Sequence, residues 1–182
     1  MPRFVALLRG INVGGNNVIG MADLRACFEA GGFDDVRTYI QSGNVLFTAS
    51  GSPVALTTRI EGMLIAAFGY EATVVVRSAR HFRAIVDAAP ERFGADRDRF
   101  RSDVIFLMPP LTPARALADV PTREGVDRAW TGPGVLYFER LASRAAQSRL
   151  SKIVSLPIYR SLTIRNWATT CTLLEMLQTP EH

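Results

Sequence analysis

Two runs, Phe4-Val5-Ala6-Leu7-Leu8 and Val104-Ile105-Phe106-Leu107-Met108, are apolar at every position. Successive side chains of a β-strand point to opposite faces, so a strand without alternation is covered on both sides. A bilayer-crossing helix needs about 20 apolar residues, and the first run is also too short for the core of a signal peptide. Each run therefore predicts a central strand, and each heads a similar series of elements.

The first series begins with a strand over 3–9 and a Gly/Asn-rich loop over 10–20. A helix over 21–30 follows, with Leu24, Cys27 and Phe28 at core spacing and Gly31-Gly32 as its stop. Val36, Thr38 and Ile40 alternate in a strand over 35–41, Ser42-Gly43-Asn44 turns the chain, and 45–48 returns as the hairpin partner. A helix over 53–68 opens on Pro53, a Val-rich strand covers 71–77, and a further helix over 79–88 closes before Pro90. The second series has a strand over 103–108, a short helix over 113–118 and a hairpin of 126–130 with 135–140. A helix over 148–155, a strand over 158–164 and a closing helix over 167–177 complete it.

Each series reads βαββαβ followed by a helix. The expectation is an α+β chain made of two ferredoxin-like subdomains in tandem, residues 1–90 and 91–182, with antiparallel sheets and a C-terminal helix. Strand order 4-1-3-2 within each makes the doubly apolar strand central. A chain of 182 residues buries about 70% of its unfolded surface, so its core needs no staples.

Composition narrows the chemistry. Cys27 and Cys171 sit inside helical patterns and read as small buried hydrophobes, not a disulfide or metal pair. The two histidines are His81 and the terminal His182, too few for most His-based metal or triad chemistry. No metal or cofactor is expected, no membrane partner, and a cytoplasmic location. The net charge of +4 rests on 20 arginines and one lysine, Lys152. The arginine-rich stretch 92–101 also carries Asp96 and Asp98 and reads as a mixed, solvated linker.

The strand order has a local consequence. First and third strands are neighbours, about 4.8 Å apart, so Arg9 is expected close to Asn44 and Val45. The 10–20 loop and the Ser-Gly-Asn turn then share one end of the first sheet. Arg9, Asn12, Gly14, Gly15, Gln41, Ser42, Gly43 and Asn44 would converge there, an arrangement suited to a small anionic or polar ligand. The glycines at 10, 14, 15 and 20 match neither the phosphate-loop nor the dinucleotide pattern. Turn geometry alone accounts equally for Asn and Gly at these positions. The equivalent corner of the second half, Met108-Pro109-Pro110 with Thr131-Gly132-Pro133-Gly134, has almost no polar side chains.

Three segments carry a family resemblance: Ala6-Leu7-Leu8-Arg9-Gly10-Ile11-Asn12-Val13-Gly14-Gly15, Tyr39-Ile40-Gln41-Ser42-Gly43-Asn44-Val45 and Arg165-Asn166-Trp167. Together they resemble the bacterial family known as domain of unknown function 1697, across essentially the whole chain. The resemblance implies a tandem of ferredoxin-like subdomains and no established activity. Ile164 and Ala168 depart from the family's C-terminal pattern, and Ser148-Arg149-Leu150-Ser151-Lys152 resembles a further family segment. The resemblance adds Lys152, Arg165 and Asn166 to the candidate ligand-binding residues. Asn166 has a second reading as the N-cap of the last helix, and Trp167 one as a core residue.

Three functions compete. The first is binding of a small polar or anionic molecule at the first-half corner, with or without catalysis. No residue there is a convincing nucleophile or base, so an enzyme would work by electrostatic positioning. The second is a nucleic-acid module, suggested by basic charge and topology, although Phe47 is the sole aromatic on the third strand. The third is a structural or oligomeric adaptor without a ligand; the sequence leaves the oligomeric state open.

Overall fold

The computed structural model describes residues 1–12, 15, 17–69 and 71–179. Two units divide the chain, one formed by residues 1–82 with the C-terminal segment from Leu173, the other by Arg83–Thr172.

In the first unit, β1 (Arg3–Arg9), β2 (Asp34–Tyr39), β3 (Asn44–Thr48) and β4 (Thr73–Ser78) form an antiparallel sheet in the order β2-β3-β1-β4. The doubly apolar strand is central, as its composition requires. Val5 and Leu7 are as fully buried as Phe4, Ala6 and Leu8 on the opposite face. The latter three pack with Val45, Phe47, Val74 and Val76 against α1 (Met21–Ala30) and α2 (Pro53–Phe68), which contribute Leu24, Phe28, Ile60 and Leu64. Phe28, Phe33 and Phe47 meet with ring centroids 4.8–5.7 Å apart. α2 starts where it should. The Ser52 hydroxyl accepts from the Ala55 N–H at 3.2 Å, Pro53 occupies the first turn, and Gly69 at φ 70° ends it.

The second unit repeats the strand order with different helices. β5 (Phe100–Leu107), β6 (Asp127–Gly132), β7 (Val135–Leu141) and β8 (Leu162–Asn166) run antiparallel as β6-β7-β5-β8. α4 (Pro113–Asp119), capped by the Thr112 hydroxyl, covers the sheet through Ala116, beside Ile105, Leu107, Leu136 and Phe138. α3 (Ala79–Asp87) follows β4, and α5 (Trp167–Gln178) follows β8.

The chain is thus α+β with the ferredoxin-like strand order twice, plus a C-terminal helix. Two expectations fail locally. The helix over 148–155 and the start of the strand over 158–164 give way to short 3-10 turns at Ala142–Gln147, Leu150–Ser155 and Pro157–Ser161. Pro157 disfavours helical backbone at Leu156 and has no N–H to extend a helix or pair in a strand. Serine hydroxyls compete locally, Ser148 accepting from the Leu150 N–H at 3.2 Å and Ser155 donating to the Lys152 carbonyl at 2.8 Å. β8 starts only at Leu162, where the chain pairs with Leu107.

Candidate functional site

β1 ends at the same lip of the first sheet as the turn between β2 and β3. Leu7 faces Asn44 across the ladder, and the Leu8 N–H donates to the Gly43 carbonyl at 2.8 Å. Arg9, two residues further along, pairs with Thr73 on the other side of β1. Its Nη2 donates to the Thr73 hydroxyl at 2.8 Å, which gives the half-buried guanidinium one fixed anchor.

The loop after β1 is tied to the turn by one side chain. The Asn12 amide nitrogen donates to the carbonyls of Gln41 (2.9 Å) and Ile19 (3.0 Å), while its oxygen accepts from the Ile19 N–H (2.7 Å). Asn17 closes the loop on itself, donating to the Gly10 carbonyl at 3.0 Å. On the turn, fully buried Asn44 donates to the Tyr39 carbonyl (2.8 Å) and the Ser42 hydroxyl (3.1 Å). Asn12, Asn17 and Asn44 therefore use their amides on backbone shape, as local side-chain bonding in turns predicts. Gln41 and Ser42 are left exposed at the rim.

Backbone conformation at this lip is unusual. Asn12, Asn17 and Ile40 have φ near 50°, a region open to Asn but unfavourable for a β-branched residue. Ile40 is also 46% exposed, so burial does not account for its strain. Gly43, at φ 86°, is required twice over, because a Cβ there would lie 2.6 Å from the Ile11 Cδ1. Gly15 is exposed with φ 78°, and Gly14 lies outside the described residues.

The remaining candidates belong to the second unit. Lys152 is exposed on a 3-10 turn. Arg165 is buried, donating to the Thr163 hydroxyl and the Ile164 carbonyl, both at 2.9 Å. Burial pushes its pKa down to about 10, which leaves it charged at neutral pH. The exposed Asn166 caps α5, its oxygen accepting from the Thr169 N–H at 2.7 Å. The first unit repeats this grammar unannounced by the sequence. Arg77 lies opposite Val5 as Arg165 lies opposite Val104, each donating to the preceding carbonyl, and the Ser78 hydroxyl accepts from the His81 N–H as α3 begins. Burial lowers Arg77 to about 10 as well.

A cleft of about 300 Å³ opens in the second unit where β5 begins and where β7 and β8 end. Arg97, Arg101, Asp103, Arg140, Asn166 and Trp167 line it. It sits at the sheet end opposite the apolar Met108 corner, since Arg101 pairs with Arg140 and Asp103 with Asn166. Of these residues only Asn166 and Trp167 stand out in the sequence; Arg97 and Arg101 read as solvated linker because exposed charge has no periodicity. Among the described residues no cluster of metal-ligating side chains occurs, and no helix is long and apolar enough to cross a membrane.

Comparison with known proteins places this geometry in a family. The family model for a protein of unknown function, DUF1697, matches residues 1–137. The chain belongs to that family. Its fold is similar to the structure of conserved bacterial protein SP0830 from Streptococcus pneumoniae, with a TM-score of 0.84 and 28% identity over 97% of this chain and 98% of that one. No curated protein matches the sequence. The two DUF1697 segments at the first-sheet lip, 6–15 and 39–45, are the ones that Asn12 joins through the Gln41 carbonyl.

Proposed function

We propose that this protein binds a small polar or anionic ligand at the lip of the first sheet. The observation that carries the reading is the three-bonded Asn12 side chain, which holds the loop after β1 against the β2–β3 turn. The residues joined in this way, Asn12, Ile19 and Gln41, have their ordering entropy settled before a ligand arrives, so more of the contact energy there is available for affinity. Arg9 supplies the cation, anchored by Thr73, and the rim offers Gln41 and Ser42. A β-branched residue in the left-handed region costs about 1–3 kcal/mol, and such strain concentrates at ligand clamps and switches. The strained, exposed Ile40 supports a binding role in that way.

Calorimetric titration with inorganic phosphate and with a nucleotide tests the reading. Wild type should bind at least one of them, and Arg9→Ala should weaken binding by about tenfold or more, the value of a charge-assisted contact. Absence of binding to both anions, or equal binding by the variant, would remove the lip as a ligand site. Asn12→Ala provides a second reading at the same place, because it frees the loop without touching the cation.

A further inference from the structure

We propose that the cleft of the second unit is a separate binding site for a small phosphate monoester carrying a flat ring. It does not rest on the lip of the first sheet, and its residues are different.

Charge makes the first part of the argument. Three guanidinium groups, Arg97, Arg101 and Arg140, and one carboxylate, Asp103, line the cleft. The carboxylate is tied to Arg140, Oδ2 to Nη1 at 3.2 Å, with side chains 15% and 26% exposed. Glu139 is buried and accepts from the Ser102 hydroxyl at 3.0 Å and from Arg128 at 2.6 Å, while Asp96 and Asp98 flank Arg97 in the chain, are exposed and are not part of the cleft lining. Arg97 and Arg101, both exposed, have no ion-pair partner among the described residues, so the cleft is lined by two arginines outside any ion pair and by one paired arginine. Arginine forks match phosphate geometry, and a concave site strengthens the interaction relative to open water. A doubly charged head group balances the surplus of two positive charges left after Asp103 is counted.

Shape makes the second part. Trp167 lines the cleft, and neighbouring residues, one of them the lining residue Gly94, hold its indole. The Phe93 ring packs edge-on against the indole at 5.1 Å, and Gly94, at φ 71°, lies so close that a Cβ there would overlap it. A half-buried indole fixed in this way is a pre-organised platform, with little rotamer entropy to lose when a ring packs on it. At about 300 Å³ the cavity is at the small end of ligand pockets, which suits one ring with one phosphate.

Tryptophan fluorescence tests the inference. Trp130 is the other tryptophan, so the Trp130→Phe variant reports on Trp167 alone. Phenyl phosphate and adenosine 5′-monophosphate should each change its emission saturably, and inorganic phosphate should bind more weakly because it cannot pack on the indole. Replacing both Arg97 and Arg101 by alanine should reduce affinity by about tenfold per arginine. Arg115→Ala, which removes an exposed charge elsewhere in the unit, should leave it unchanged. Emission that does not respond to any of the three anions overturns the proposal, as does a response that survives loss of Arg97 and Arg101. Equal affinity for phosphate and its aryl ester overturns the role given to the indole. Arg9→Ala in this assay separates the two sites, since it should leave the Trp167 response intact.

Discussion

At the residue scale, the informative side chains are those whose environment opposes their chemistry. Asp103 is one. Burial raises its carboxyl pKa, and the Arg140 guanidinium brings it only part of the way back. An acid with a raised pKa in the folded state adds stability that is complete below the ordinary aspartate value of about 3.9 and is lost as pH rises through its folded pKa. Above that point the buried charge opposes folding. Asp103→Asn should therefore compare better with wild type at neutral pH than at about pH 3, measured as the difference in Tm between the two proteins. An unchanged difference across that range would mean that Asp103 feels no net burial. Asn12 is the opposite case, a polar residue fully matched by Ile19 and Gln41. Its part as a structural tie could not be read from sequence, because an asparagine that faces solvent and one that faces two carbonyls have the same neighbours in the chain.

At the scale of elements, the boundaries follow local signals closely where those signals are strong. β1, α1 and α2 occupy the residues expected of them, since glycine, proline and a serine cap mark their ends. The turn is legible but displaced, since β2 ends at Tyr39 and the chain turns over 40–43 instead of 42–44, with Ile40 at φ 50°. Gly43 must hold φ 86° and leave space for Ile11. Gly43→Ala should destabilise the protein by about 1–3 kcal/mol through backbone strain and overpacking, read from urea unfolding. A change below a few tenths would show that Ile11 gives way freely. Where the signal weakens, between β7 and β8, the expected helix becomes a series of 3-10 turns. Leu150 and Ile153 are both buried, yet Pro157 and the serine hydroxyls prevent a regular helix.

At the scale of the whole molecule, the same strand order twice gives each unit its own apolar cluster between sheet and helices, Phe28 and Phe47 in one, Ile105 and Phe138 in the other. Phe28 touches two further rings and is fully buried. Phe28→Ala should cost about 3–5 kcal/mol, seen as a lowered midpoint in denaturant at unchanged slope. A loss under about 1 kcal/mol would mean that the first cluster collapses around the gap.

The chain alone determined the architecture. Strands apolar on both faces must be central, glycine and proline must interrupt, and these are constraints between near neighbours that any reader of the letters can apply. It also determined that β1 and the turn before β3 share one end of the sheet, because strand order fixes that, although Leu7 rather than Arg9 faces Asn44 and the Arg9 side chain goes to Thr73 on β4. Tertiary structure decided which polar groups remain available. It committed Asn12, Asn44 and Asn166 to backbone partners, buried Arg165, and drew Arg97, Arg101, Arg140 and Trp167 from a linker, two strands and a helix start into one cleft. Apolar burial leaves a period in the sequence. The gathering of exposed charge leaves none, since water accepts such side chains at any spacing and only the folded chain brings them together.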